Sequence, residues 1–243
     1  MDIKDLAEAN ESSYEMTGSG NKETRIEKAQ SRAPEGYDII PHLSDRMIST
    51  FQNQDDWIIA HRGSDFAGTH GKKDLKSDFN IMIGNEDGDA IHKKRTAKTE
   101  RIIRDILRNE PQSNIYLSGH SLGGSTSYSA MVNSKYVRNN VTALHTFNAG
   151  SSPFQTKKDM DKKAEDIIKE KATHHRIKGD FVSENVKKKF IGTHKKYDTN
   201  KSVPIHKRVL NILSPLLGGL GIAYQTYEGV KGKLQKHSIQ NFS

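Results

Sequence analysis

A serine set between glycines in a β-prone run is the feature of this sequence that most directly suggests chemistry. The run from Tyr116 to Ala130 reads YLSGHSLGGSTSYSA, and Gly119-His120-Ser121-Leu122-Gly123 has the form G-x-S-x-G. A serine hydroxyl in that setting could attack a carbonyl carbon. It needs a base to take its proton, a carboxylate to orient the base, and N–H donors for the oxyanion that forms. The pentapeptide means little alone, and its elements must decide. A strand before it and a helix after it force a sharp turn that exposes the hydroxyl at the carboxyl edge of a sheet. NIYLS precedes and GGSTSYSAM follows, so both conditions are met. Gly119, Gly123 and Gly124 supply the small neighbours the turn requires. The competing reading is a glycine-rich turn with no reactive role.

The histidines after Ser121 are His145, His174, His175, His194, His206 and His237. His145, His174 and His175 precede or accompany strands and read as structural or surface residues. A serine nucleophile of the strand-turn-helix kind is followed along the chain by the acid and then the base. His237, in KLQKHSIQNF, stands where that order puts the base, with His206 in reserve. Asp180, in HHRIKGDFVS, lies just past a strand end, where side chains reach the carboxyl face of a sheet. Asp198 is the reserve acid. The N–H of Leu122 is one oxyanion donor, and Ser64, in DWIIAHRGSD, offers a second.

Further back, the chain supplies the elements that would hold these groups. RMISTFQN and DWIIAHRG are short β-prone runs around the turn-forming QNQDD. Apolar residues then recur at helical spacing from His92 to Asn109, until Pro111 stops them. SNIYLSGHS, VTALHTFNAG and ATHHRIKGD are further strands. GGSTSYSAMVNSKY and TKKDMDKKAEDIIKEK between them are patterned as helices. Alternation of this kind predicts a mainly parallel sheet flanked by helices. Residues 1–35 are polar and read as a loosely attached arm or short helices, and residues 36–243 as one domain.

Composition narrows the function classes. The 243 residues contain no cysteine, which excludes disulfides, thiolate metal sites and thiol catalysis. Mean hydropathy is -0.78. No window reaches the roughly 18 apolar residues of a membrane span, and the acidic start MDIKDLAEANESS is unlike a secretory signal. A cytoplasmic or otherwise intracellular setting is therefore expected. The histidines show no ligand spacing with carboxylates on one helix face, so no metal and no cofactor are expected. From Phe154 to Lys236 there are 19 Lys and Arg against 9 Asp and Glu, a net of +10, which leaves -2 for the rest of a chain at +8. That basic half is either a solvated face or a surface for anionic membrane. Stacking aromatics are not interleaved with it, which argues against nucleic acid.

The blocks IIAHRGSD, GHSLGG, TFNAGSSP, KGDFVS and HSIQNF, in this order from about Trp57 to Phe242, resemble those of the class 3, fungal-type lipases. The resemblance implies an α/β-hydrolase fold. It also implies Ser121 as nucleophile, Asp180 as orienting acid, His237 as base, and Ser64 with Leu122 at the oxyanion hole. His120 would pack rather than react. The substrate implied is a lipid carboxylic ester, cleaved by a lipase or phospholipase A type of enzyme, with phospholipid favoured by the basic half. Three departures bear on the substrate: His61 stands where an aromatic is usual, DFAGTHGKKDLKSDFN is polar where an amphipathic lid is usual, and GSTSYSA replaces the usual GALA. The alternative from another class is an inactive module that binds anionic membrane or nucleic acid.

VLNILSPLLGGLGIAY, residues 209–224, is the one long apolar window. It is too short and too broken to span a bilayer, and Ser214-Pro215 reads as a helix start. It is either a buried helix that positions His237, or a segment in which some of Leu216, Leu217, Leu220 and Ile222 line an acyl pocket.

Overall fold

The computed structural model describes residues 1–63, 87–150, 160–178, 180, 183 and 190–198. Among these residues, seven strands form one sheet whose spatial order is the chain order: β1 (Asp38–Ile39), β2 (Ile48–Asn53), β3 (Asp56–His61), β4 (Asn114–His120), β5 (Ala143–Phe147), β6 (Ala172–Ile177) and β7 (Thr193–Tyr197). β1, β2 and β3 are antiparallel, and the pairings from β3 to β7 are parallel. The β2–β3 hairpin turns at Gln54, which takes φ 51. The helices are α1 (Ile3–Ser13), α2 (Lys22–Gln30), α3 (Asp87–Asn109), α4 (Leu122–Asn133), α5 (Lys135–Asn140) and α6 (Lys162–Lys171). A 3-10 turn, Tyr14–Thr17, follows α1. This is the mainly parallel, helix-flanked sheet that the alternating pattern predicts.

A sheet that adds each parallel strand on the same side, through right-handed crossovers, puts all its crossover helices on one face. The core has that division. Ile102, Ile103 and Ile106 of α3, Tyr128 and Met131 of α4, Val137 of α5 and Ile168 of α6 pack with Trp57, Ile59, Ile115 and Leu117. The opposite face, carried by Phe51, Ile58, Ala60 and Phe147, is covered by Leu6, Ala7 and Ala9 of α1, with Met16 and Ala29. Burying side chains such as Leu6 and Ile58, both 0% exposed, stabilises the fold by about 1.5–3 kcal/mol each. The polar N-terminal sequence hides this role because its buried face consists mostly of small residues.

Local chemistry sets the element ends. Asp2 caps α1 through Lys4 N, Asn21 caps α2 through Thr24 N, and Asp161 caps α6 through Ala164 N at 2.7 Å. The segment GGSTSYSAMVNSKY forms two helices instead of one. Ser134 leaves helical geometry at φ -120 and caps α5 by accepting from Val137 N at 3.1 Å. α3 begins at Asp87, five residues before the predicted start. β7, THKKY, carries no apolar alternation; it is the last strand of the sheet among the described residues, and none of its residues is buried. Its pairing with β6 is a backbone event that needs no apolar side chains.

Histidines fill the space between β5, β6 and β7. The Nε2–H of His174 donates to the Ile191 carbonyl at 2.9 Å, so its Nδ1 accepts from the Thr146 hydroxyl, also at 2.9 Å. His175 bonds the Tyr197 hydroxyl at 2.9 Å and His145 at 3.0 Å, and stacks on Phe147. Burial, with Lys195, Arg176 and the neighbouring histidines adding repulsion, lowers His145 to about 4 and His174 and His175 to about 3. The unfolded chain takes up protons here below its ordinary histidine pKa, near 6.5, while the folded chain does not until about 4 or lower. Stability from these residues is therefore complete above that ordinary value and lost as pH falls through the window. Each contributes a slope of up to about 1.4 kcal/mol per pH unit. Urea unfolding should show a clear drop in midpoint from about pH 7 to about pH 5, and His175→Gln should flatten it. An equally steep drop in that variant would refute the assignment.

Candidate active site

β4 delivers the chain to Ser121, and α4 begins at the next residue. Ser121 takes φ 56 and ψ -123, a conformation that L residues seldom adopt, and is 0% exposed. Such a backbone costs about 1–3 kcal/mol unless its surroundings enforce it. Here Ser121 N donates to the Phe147 carbonyl of β5 at 3.0 Å, and Ser125 N donates to the Ser121 carbonyl at 3.2 Å.

Glycines make the turn possible. A Cβ on Gly119 would overlap the Gly123 carbonyl, and one on Gly123 would overlap the His61 carbonyl at the end of β3. One on Gly124 would sit 2.6 Å from the Ala149 Cβ. The start of α4 thus lies against the ends of β3, β4 and β5 together. Leu122, the first residue of α4, is 1% exposed.

Asp180 stands three residues beyond the end of β6 and is 1% exposed. Its N–H donates to the Ile177 carbonyl at 3.1 Å, and its Oδ2 accepts from Ser183 N at 2.8 Å. Because β4, β5 and β6 are parallel neighbours, Ser121 and Asp180 lie at the same carboxyl edge. The strands that lead to them are two spacings, about 10 Å, apart. Asp198, at the end of β7, is solvent-exposed and paired with Lys178 Nζ at 3.4 Å. His237, His206, Ser64, Leu216, Leu217, Leu220 and Ile222 lie outside the described residues. Gly63, which precedes Ser64, is described: a Cβ there would come 3.2 Å from the Ser121 Cβ and 2.6 Å from the His120 carbonyl.

Several residues that hold this site carry no legible motif. Asn148, at φ 43, follows β5 and ties it to β6: its N–H donates to the His175 carbonyl at 2.8 Å, and its Oδ1 accepts from Ile177 N at 2.9 Å. Arg95 of α3, 4% exposed, donates to the Arg62 carbonyl at 2.6 Å and to Thr126 Oγ1 at 3.2 Å, so it braces the exit of β3 against α4. His61 lies between Thr99 Oγ1 at 2.8 Å and Thr126 Oγ1 at 3.1 Å. Burial, followed by Arg95 and Lys98, pushes its pKa well below the usual histidine value, so it is a neutral bridge. His120, 5% exposed, bonds Tyr14 through Nδ1 at 2.8 Å. Asn148 falls within the quoted TFNAGSSP block; for Arg95 and Tyr14 the sequence carries no signal, since each reads as a residue on a polar helix.

The backbone at Ser121 has a measurable consequence. Glycine accepts φ 56 without the Cβ penalty, so Ser121→Gly should be more stable than Ser121→Ala by about 1 kcal/mol. Urea denaturation of the two variants tests this. An alanine variant as stable as the glycine one would mean that the turn is not strained.

Among the described residues, no group of three or more His, Asp or Glu is placed to hold a metal ion, and no helix is long and apolar enough to cross a membrane. Comparison with curated proteins gives no match. Among solved structures, the chain is similar to one titled "Crystal structure of M37 lipase", with a TM-score of 0.54 over 99% of this chain and 95% of that one. At 12% identity this likeness speaks to the fold, which is that of an α/β-hydrolase. The profile of the class 3 lipases matches residues 65–190, more than half of the sequence. Together with the strained serine turn at the carboxyl edge of the sheet, that match places the chain in the class 3 lipase family, a family of lipid ester hydrolases.

Proposed function

We propose that the protein cleaves carboxylic esters of lipids through an acyl-enzyme on Ser121, with His237 as base and Asp180 as the acid that orients it. The observation that carries this reading is Ser121 in a left-handed turn between β4 and α4, with a buried carboxylate at the same sheet edge. The gap of about 10 Å between their strands is one that an imidazole and its two hydrogen bonds can fill.

In the proposed reaction, Ser121 Oγ attacks the ester carbonyl as His237 takes its proton. The tetrahedral oxyanion is held by the N–H groups of Leu122 and Ser64. Collapse expels the alcohol, which receives the proton from His237. Water, activated by the same imidazole, then releases the fatty acid and regenerates Ser121. Asp180 holds the imidazole in one tautomer and stabilises its charged form. Some of Leu216, Leu217, Leu220 and Ile222 are the proposed contacts for the acyl chain.

The substrate is proposed to be presented at an anionic surface, with phospholipid favoured over triacylglycerol. The net +10 of residues 154–236 supports this, as do the exposed Lys195 and Lys196 on β7. Vesicles containing anionic lipid should bind the protein more tightly than neutral ones, and salt should weaken that binding. Equal binding to both at low salt would remove the surface from the proposal.

Mutation tests the triad. Ser121→Ala or His237→Ala alone should lower turnover by a factor on the order of 10⁴ or more, the double variant should lose little further, and Asp180→Asn should lose somewhat less. Retention of a tenth of the activity in His237→Ala would transfer the base to His206. A protein that binds vesicles but is not labelled at Ser121 by a fluorophosphonate would be a binding module with no esterase role.

A further inference from the structure

Tyr14 begins the 3-10 turn after α1, more than a hundred residues from Ser121 in sequence. Its hydroxyl bonds His120 Nδ1 at 2.8 Å, and the two rings meet edge to face with centroids 6.1 Å apart. The same hydroxyl lies against Gly63, where an added Cβ would overlap it. That Cβ would also fall 2.6 Å from the His120 carbonyl. One phenol oxygen therefore touches both chain segments that enter the site: the one leading from β3 into Ser64, and the one leading from β4 into Ser121 and Leu122.

The base of Tyr14 is fixed. Asn10 Nδ2 donates to the Leu6 carbonyl at 2.7 Å and bonds Ser118 Oγ of β4, and Ser118 Oγ donates to the Leu6 carbonyl at 3.2 Å. Asn10 and Ser118 are 0% exposed. Ser13 Oγ donates to the Asn10 carbonyl at 2.6 Å, and Thr17 Oγ1 to the Tyr14 carbonyl at 2.7 Å. α1 is thus locked to the nucleophile's own strand two residues before His120, and Tyr14 projects from that lock. Buried hydrogen-bonded networks of this kind specify one geometry.

We propose that Tyr14 is a positioning residue: through His120 and Gly63 it sets the separation of the two segments that supply the oxyanion donors. The inference rests on the acyl-enzyme reading of Ser121. Contacts to the oxyanion strengthen only as negative charge develops, so an error in their spacing lowers kcat and leaves KM nearly unchanged. A structural role alone would instead reduce the folded fraction and leave the rate per folded molecule as it was.

The test uses the full chain. kcat and KM on a p-nitrophenyl ester, the rate of fluorophosphonate labelling at Ser121, and the thermal midpoint are measured for Tyr14→Phe, His120→Leu and the double variant, with rates normalised to titrated sites. Tyr14→Phe should lower kcat and the labelling rate by about ten-fold, with KM within about two-fold. The double variant should be no worse than His120→Leu alone, and His120→Asn, which keeps a polar group near the Nδ1 position, should recover much of the rate. Wild-type rates per site in Tyr14→Phe would overturn the proposal, as would additive losses in the double variant. Should Tyr14→Phe fail to fold, His120→Leu alone decides, and an unchanged labelling rate there overturns it. Failure of the acyl-enzyme reading looks different: wild-type protein is not labelled at Ser121, or Ser121→Ala still hydrolyses ester. Labelled wild type with an indifferent Tyr14→Phe removes only the role of Tyr14.

Discussion

The carboxyl edge of the sheet depends on how closely the first turn of α4 presses against the end of β3. A helix that begins directly after a strand must rise over the neighbouring strand ends, and side chains at the contact would hold it away. Gly123 removes that obstacle at the His61 carbonyl, Gly124 removes it at Ala149, and Gly119 lets β4 fold back under its own helix. With the helix seated this low, the chain passes from β4 into α4 through φ 56 at Ser121. The cost of about 1–3 kcal/mol for that backbone is similar to the yield of two or three net hydrogen bonds at about 1 kcal/mol each. The bonds from Ser121 N to Phe147 and from Ser125 N to Ser121 are of that number and kind.

A second constraint is topological. Because strand order follows chain order, the crossover helices gather on one side, and among the described residues the other side is covered by the segment before β1. α1 therefore meets β3 and β4 directly, on the face opposite Arg95 and α3. The two strand ends that border the site are braced from both sides: Arg95 holds the carbonyl of Arg62, and Tyr14 reaches His120 from the N-terminal layer. Neutral His61, hydrogen-bonded to α3 and α4 through Thr99 and Thr126, adds a buried polar bridge between the end of β3 and these two helices.

The strands with two buried faces were legible because WIIA and IYL are apolar without interruption, and the parallel arrangement followed from the helices between them. The serine turn was legible because it needs glycines at fixed offsets, a local requirement. β7 was not, since its pairing with β6 is made by the backbone while Lys195 and Lys196 stay exposed, leaving no period-two signal. The break at Ser134 was hidden because a serine in a helical pattern and a serine capping the next helix look alike until Val137 N is seen to reach it. The place of Asp180 just past a strand end was legible, and its burial there was not. Tyr14 and Arg95 were not, because what they do depends on partners 106 and 33 residues away, and no local pattern encodes that separation.

The route by which α1 reaches the sheet bears on how the molecule assembles. The β2–β3 hairpin closes across two residues, but β3 pairs with β4 only by joining Asp56 to Asn114, a long loop whose entropy is lost before any contact repays it. The surface that α1 covers spans β2, β3 and β4, and it is complete only once β3 and β4 have met. Complete docking of α1 therefore requires β4 to be in place. During biosynthesis α1 leaves the ribosome before β4, so Leu6 and Met16 lack part of their folded surroundings until β4 has been made. A nascent chain of this kind presents a small apolar face to chaperones for the time needed to synthesise roughly a hundred residues, several seconds at ordinary rates of translation.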